Sequence, residues 1–256
     1  MKSRFIDTGF NDPYMNMAID EALLSSELPV LRFYRWAPPG LSIGYFQSVN
    51  CFNFQNIKIN GIKLVRRLTG GNAVLHDNEL TYSFIINEQE MPNSIIESYK
   101  IISKGLFQGL VNLGLKPQMN ENITASDKSA VCFHDPSWYE ILVNNKKIIG
   151  SAQKRLNGKL LQHGAILIDA DIEKYCSLFN NYSLELVQKL KARMTSINHE
   201  LSEKIEYDAV KQAVKMGFKD SLNLDFTVDS LSVTEQESAK KLYKEKYSLD
   251  KWNLKR

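Results

Sequence analysis

Between residues 138 and 168 the chain carries three strand-like segments whose turns are too short for anything but antiparallel pairing. They cover 138–143, 147–153 and 160–168, and they break at Asn144-Asn145 and at Asn157-Gly158. A parallel connection needs a crossover of a dozen or more residues, whereas Asn and Gly accept the positive φ of a two-residue hairpin turn. This part of the chain is therefore a meander of hairpins, and the rest of the fold has to be built around it.

The flanking sequence supplies both helices and strands. Asn11-Asp12-Pro13 reads as an N-cap followed by proline in the first helical turn, and Met15, Ala18, Ile19, Ala22 and Leu23 share the face of a helix running to about Ser26. Segment 30–36 is dense in β-branched and aromatic residues, Pro38-Pro39-Gly40 turns the chain, and 41–45 reads as the returning strand. Strands are also predicted at 62–67, 73–75 and 80–86. Ile95, Ile96, Tyr99, Ile102, Leu106, Leu110 and Val111 give a helix over 94–113, and 125–133 lacks a period and reads as a loop. From about Asp171 the pattern turns to short lysine-rich helices, with Thr234 and Glu237 spaced as a capping box for the last of them. The expected architecture is α+β, an antiparallel or mixed β-sheet flanked by helices. It forms a single catalytic domain over 1–256, with a core over about 1–170 and a short helical C-terminal extension over about 171–256 packed on it.

The net charge is only +3 over 256 residues, too weak for a dedicated nucleic-acid binder. The three cysteines, Cys51, Cys132 and Cys176, form no CxxC pair, which points to a reducing compartment rather than a disulfide framework or zinc cluster. Neither an apolar signal core nor a membrane-length apolar run is present in the sequence, so a cytoplasmic protein without a membrane partner is expected.

Four stretches could carry chemistry. In Arg66-Arg67-Leu68-Thr69-Gly70-Gly71-Asn72, followed by His76-Asp77, the paired glycines serve either a tight turn or a loop closing on a ligand. Cys132, with His134 and Asp135 beside it, is either a small buried hydrophobe or a nucleophile. Lys147 is either a solvated hairpin lysine or a cation facing a cleft, where it would lower the pKa of a nearby thiol; Gly150-Ser151-Ala152 follow it in the same strand. Gln162-His163-Gly164 comes to the level of that segment if the strands pair as hairpins. His163 is there either a satisfied core histidine or a catalytic one, and Gly164 signals a close approach.

These stretches occur together and in this order in the biotin/lipoate protein ligase and octanoyltransferase superfamily. The resemblance runs from MNMAIDEALL through LRFYRWAPPGLSIGYFQ, RRLTGGNAVLHDNELTYSFI and KKIIGSAQ to QHGAILID, with KYSLDKWN similar as well. Asn72 stands where the ATP-dependent ligases carry a third glycine, and CFHDPSWYE resembles the octanoyltransferases that modify the glycine cleavage H protein, in which arginine is common at position 72.

The resemblance implies a thioester mechanism with Cys132 as nucleophile and Lys147 as the lysine that lowers its pKa. It implies substrate contacts at Arg67, Thr69, Gly70, Gly71, Asn72, His76, Gly150, Ser151, Ala152, His163 and Gly164. The donor would be octanoyl acyl carrier protein and the acceptor a lipoyl-domain protein such as glycine cleavage H protein. No metal or cofactor is expected; ATP and Mg²⁺ enter only if the chain is instead a lipoate–protein ligase. A lipoyl or octanoyl amidotransferase using the same cysteine is the other alternative.

Overall fold

Asp12 caps the first helix, its side chain accepting from the Tyr14 N–H with Pro13 in the first turn. The computed structural model describes residues 1–120 and 140–256. In chain order its strands and helices are β1 (Lys2–Asn11), α1 (Pro13–Ala22), β2 (Val30–Trp36), β3 (Gly40–Ile43), α2 (Phe54–Ile59), β4 (Lys63–Arg66), β5 (Val74–His76) and β6 (Glu79–Asn87). There follow α3 (Ile95–Asn112), β7 (Gln118–Met119), β8 (Ile141–Val143), β9 (Lys146–Leu156) and β10 (Lys159–Leu167). The remainder is α4 (Ile172–Ser177), α5 (Leu184–Arg193), α6 (Ile197–Glu200), α7 (Tyr207–Leu222), β11 (Asp225–Asp229), α8 (Val233–Leu242) and α9 (Asp250–Asn253).

Eight strands form a mixed sheet in the order β11-β1-β2-β6-β10-β9-β8-β7, and three form a second sheet, β4-β3-β5. The expected α+β class and hairpin meander are present. Asn144 and Asn145 have φ of 50° and 60°, and Asn157 and Gly158 have 53° and 75°, as two-residue turns with the right-handed strand twist require. One face of the large sheet packs Phe33, Leu80, Tyr82 and Phe84 against Ile102, Leu106 and Leu110 of α3 and Val214 and Phe218 of α7. The two helices approach so closely that a Cβ on Gly217 would lie 2.4 Å from the Gly105 carbonyl oxygen. Against the opposite face lie α1, with Ala18, Ile19 and Ala22 in the same cluster as Val30, Tyr34 and Ile85, and the small sheet.

Three expectations are corrected. Segment 41–45 does not return on β2: β3 leaves the large sheet and pairs with β4 in parallel and β5 in antiparallel. All four residues of β3 are buried, so both of its faces are covered and its sequence contains no alternation to assign a partner. The part after Asp171 is not wholly helical, because β11 adds an edge strand parallel to β1. The capping box of α8 is made by Ser232 and Glu235, two residues earlier than Thr234 and Glu237.

A cleft between two sheets as candidate active site

Strand register places the floor of the site. Arg32 pairs with Ser83, Ser83 with His163 and His163 with Ala152 across β2, β6, β10 and β9; the next row on the same face is Tyr34, Thr81, Ala165 and Gly150. Side chains two apart along a strand share a face, so these eight residues lie on the face that α1 and the small sheet cover, with Arg32, Tyr34 and Ser83 bonded to α1. Gly150, Ala152 and Ala165 are small, which leaves a slot above them. The cleft holds about 420 Å³ of empty space, part of it open to solvent. Met17, Tyr34, Trp36 and Val74 give it apolar walls, and Ser42, Arg67, Gly71, Thr81, His76, Ser151, His163 and Gly164 complete the lining.

The roof is the loop after β4, wrapped around Arg67. The Arg67 guanidinium donates from Nε to Thr69 Oγ1 (3.1 Å), from Nη1 to Ser42 O and Oγ (3.0 and 3.3 Å), and from Nη2 to the carbonyls of Gly70 and Asn72 (2.7 and 2.8 Å). Each of the five guanidinium N–H groups thus has an acceptor in the protein. Arg67 is a clip that shapes the loop. Gly71 has φ of 85°, and a Cβ on Gly44 would fall 1.7 Å from the Gly71 carbonyl oxygen, so the residue just after β3 and the loop touch backbone to backbone.

Two histidine relays leave this clip. Thr69 Oγ1 lies 2.7 Å from His163 Nε2, and His163 Nδ1 lies 3.0 Å from Asp20 Oδ2. A carboxylate only accepts, so Nδ1 carries the proton and Thr69 donates to Nε2. Burial holds the His163 pKa below the ordinary histidine value, partly offset by Asp20, and the ring is neutral at neutral pH. Burial alone would raise the Asp20 carboxyl. Arg32 at 2.6 Å, His163 and a hydrogen bond from Ser83 outweigh it and hold Asp20 below the usual carboxylate range. On the other side Ser42 Oγ lies 2.7 Å from His76 Nε2, and His76 Nδ1 bonds Glu79 Oε1, which also accepts from Thr81 at 2.7 Å. Trp36 stacks on the His76 ring at 4.0 Å and donates from Nε1 to Thr81.

Arg67, Thr69, Gly70, Gly71, Asn72, His76, Gly150, Ser151, Ala152, His163 and Gly164 are therefore brought together at one cleft and its roof. Lys147 does not line it. It is buried where β9 bulges against β8, with its ammonium paired to Glu140, which opens the described chain after the segment containing Cys132. Cys132 itself, with His134 and Asp135, lies outside the described residues. Of the two described cysteines, burial pushes the Cys176 thiol up to about 11 and raises Cys51 as well, and neither lines the cleft. Asp20, Arg32, Ser42 and Glu79 were not singled out from sequence. The available signal was an Asn16–Asp20 pair at helical spacing beside the apolar face of α1, and an arginine inside the apolar run of β2. Among the described residues no group of His, Cys, Asp or Glu could hold a metal ion, and no helix is long and apolar enough to cross a membrane.

A partly apolar cleft between two sheets, roofed by a glycine loop and stiffened by buried histidine–carboxylate pairs, defines an α+β domain built around a single slot. Residues 12–219 match the lipoyl protein ligase A/B catalytic domain, and the chain belongs to that family. It is 41% identical to the octanoyltransferase LipM of Halalkalibacterium halodurans over 99% of both chains, and 43% identical to that of Lysinibacillus sphaericus over 98% of both. In structure it resembles a lipoate-protein ligase A bound with ATP (28% identity, TM-score 0.84, 99% of both chains). It also resembles the bipartite lipoate protein ligase of Thermoplasma acidophilum (26%, TM-score 0.85, 99% of this chain and 96% of that one).

Proposed function

We propose that this acyltransferase moves an octanoyl group from acyl carrier protein, through a thioester on Cys132, to a lysine of a lipoyl-domain protein such as glycine cleavage H protein. The observation that carries the octanoyl transfer is end-to-end similarity above 40% to octanoyltransferases, joined to a cleft with apolar walls. At about 0.8 kcal/mol per buried methylene, an eight-carbon chain gains several kcal/mol in such a slot. The Cys132 thiolate attacks the octanoyl thioester carbon, the carrier departs as a thiolate that takes a proton from solvent, and the new thioester waits in the slot. The neutral amine of the acceptor lysine then attacks, an amide forms, and the Cys132 thiolate leaves while the amine's proton passes to solvent. The donor is already activated, so this chemistry uses neither ATP nor a metal.

Support for Cys132 comes from CFHDPSWYE and from the raised thiols of Cys51 and Cys176, which are poor nucleophiles at neutral pH. Lys147 is assigned, on the resemblance, to holding the Cys132 thiol ionised; among the described residues its ammonium is paired with Glu140. The test is an intact mass after mixing the protein with octanoyl acyl carrier protein in the absence of ATP. A hydroxylamine-labile gain of about 126 Da, absent from Cys132→Ala, is the expected result for nucleophilic catalysis. Transfer that requires ATP and survives Cys132→Ala would make the chain a ligase. Transfer only from an octanoylated protein would make it an amidotransferase.

A further inference from the structure

At the rim of the cleft a cluster of cations is stacked on aromatic rings. Tyr45 follows Gly44, whose backbone touches Gly71 of the roof, and the Tyr45 N–H donates to Thr69 O at 2.8 Å. The Lys154 ammonium reaches the Tyr45 ring at 4.6 Å from β9, two residues beyond the floor residue Ala152, so it crosses from one sheet to the other at the mouth. Lys255 lies 3.8 Å from the same ring and 3.7 Å from that of Trp252, and Arg256 lies 5.0 Å from the ring of Phe46. Phe46 is 69% exposed. None of Lys154, Lys255 and Arg256 is ion-paired with a carboxylate among the described residues, although acidic partners occupy other surface lysines such as Lys174, Lys211 and Lys246. An exposed phenylalanine beside an arginine, next to a tyrosine carrying two lysines that have no carboxylate partner among the described residues, has the composition of a protein contact rather than of an ordinary solvated surface.

We propose that Tyr45, Phe46, Lys154, Lys255 and Arg256 form the docking surface for the acidic face of the lipoyl-domain acceptor. The assignment rests on the octanoyl-transfer reading above. Reach selects the acceptor over the donor carrier. A lysine side chain is only a few bonds long, so the body of the acceptor must seat against the rim for its amine to enter the cleft. A carrier delivers its thioester on a long flexible arm and can stand farther off. The surface also suits the chemistry: a positive field attracts carboxylates around the target lysine and lowers that lysine's own pKa, favouring the neutral amine that attacks.

The test separates the two half-reactions in the full chain. Octanoyl-enzyme formation from octanoyl acyl carrier protein and transfer from octanoyl-enzyme to apo glycine cleavage H protein are measured for the wild type, Lys154→Glu/Arg256→Glu and Phe46→Ser. For the charge-reversed variant the KM for the acceptor should rise about tenfold or more, with shallower salt dependence, while octanoyl-enzyme forms at the wild-type rate. Phe46→Ser should raise the same KM without changing the salt dependence. An unchanged acceptor KM, or a rise confined to the carrier, overturns the docking assignment and leaves octanoyl transfer standing. A wild type that forms no octanoyl-enzyme and transfers nothing overturns both.

Discussion

The His163 Nδ1 proton is committed to Asp20 at 3.0 Å, and Arg32 grips the same carboxylate at 2.6 Å, so one buried acid fixes a cleft histidine and neutralises a buried arginine. Among the described residues Arg32 has no other carboxylate; its remaining bonds go to Asn16 and Thr8. Asp20→Asn therefore leaves a buried guanidinium uncompensated and lets the His163 ring adopt the other tautomer. The expected cost is about 3 kcal/mol, read as a lower urea midpoint. Acyl-enzyme formation should fall with it, because the Thr69–His163 bond under the roof loses its orientation. A midpoint within experimental error of the wild type would remove Asp20 from this role.

The depressed pKa of His163 sets a pH dependence. Between the ordinary value of about 6.5 and the lower folded value, the unfolded chain binds a proton that the folded ring refuses. The contribution of His163 to stability is thus fully present above about pH 6.5 and is lost as pH falls toward the folded value. Asp20, also lowered, makes its own contribution above about pH 3.9 and loses it only in stronger acid. Unfolding free energy measured from pH 7.5 down to 5.5 should decline less steeply in His163→Gln than in the wild type. Parallel slopes would mean that His163 titrates alike in both states.

How much of this could be read beforehand follows from the range of each interaction. Asn144-Asn145 and Asn157-Gly158 announce their hairpins because positive φ is a local demand, and that register alone carries His163 to Ala152 and Ala165 to Gly150. The pairing of β1 with β11 joins residues more than two hundred positions apart, and the five residues of β11 are mostly exposed, so no apolar run marks it. The cleft residues in motifs were legible as a group. Their supports were not, because Asp20 and Arg32 sit in segments whose periodicity describes packing, and their pairing depends on α1 lying across β2.

The contact of Gly44 with the roof makes a second site of vulnerability. A Cβ there would sit 1.7 Å from the Gly71 carbonyl oxygen, and neither neighbour is a flexible side chain that could yield. Gly44→Ala must push the Gly70–Gly71 loop outward, at a cost of about 2 kcal/mol typical of overpacking. The slot then loses its lid, so octanoyl-enzyme formation should drop at least about tenfold, the factor that corresponds to about 1.4 kcal/mol. A variant with wild-type turnover would show that the roof is not needed closed.

Arg66 is the hinge pin between the roof and the docking rim. It is completely buried and has only carbonyl oxygens as hydrogen-bond acceptors among the described residues. Nη1 donates to Gly44, Tyr45 and Gln47 at 2.8, 3.1 and 2.8 Å, and Nη2 donates to Asn253 at 3.0 Å. Segment 252–256 answers in kind: Trp252 Nε1 donates to Arg66 O, Asn253 Oδ1 accepts from the Arg66 N–H, and Arg256 O accepts from the Val49 N–H. A planar fork can span two loops, whereas an ammonium on a single stem cannot satisfy both. Arg66→Lys should therefore retain the charge and lose the bridge, lowering stability by about 3 kcal/mol, the scale of two charge-assisted hydrogen bonds. Limited proteolysis should cut within 44–49 several-fold faster, and the acceptor KM should rise because Tyr45 and Phe46 leave their places beside Lys255 and Arg256. Faster cleavage with an unchanged acceptor KM would confine the bridge to holding the loop. Unchanged cleavage would mean that the loop is ordered by its backbone bond from Tyr45 to Thr69 alone.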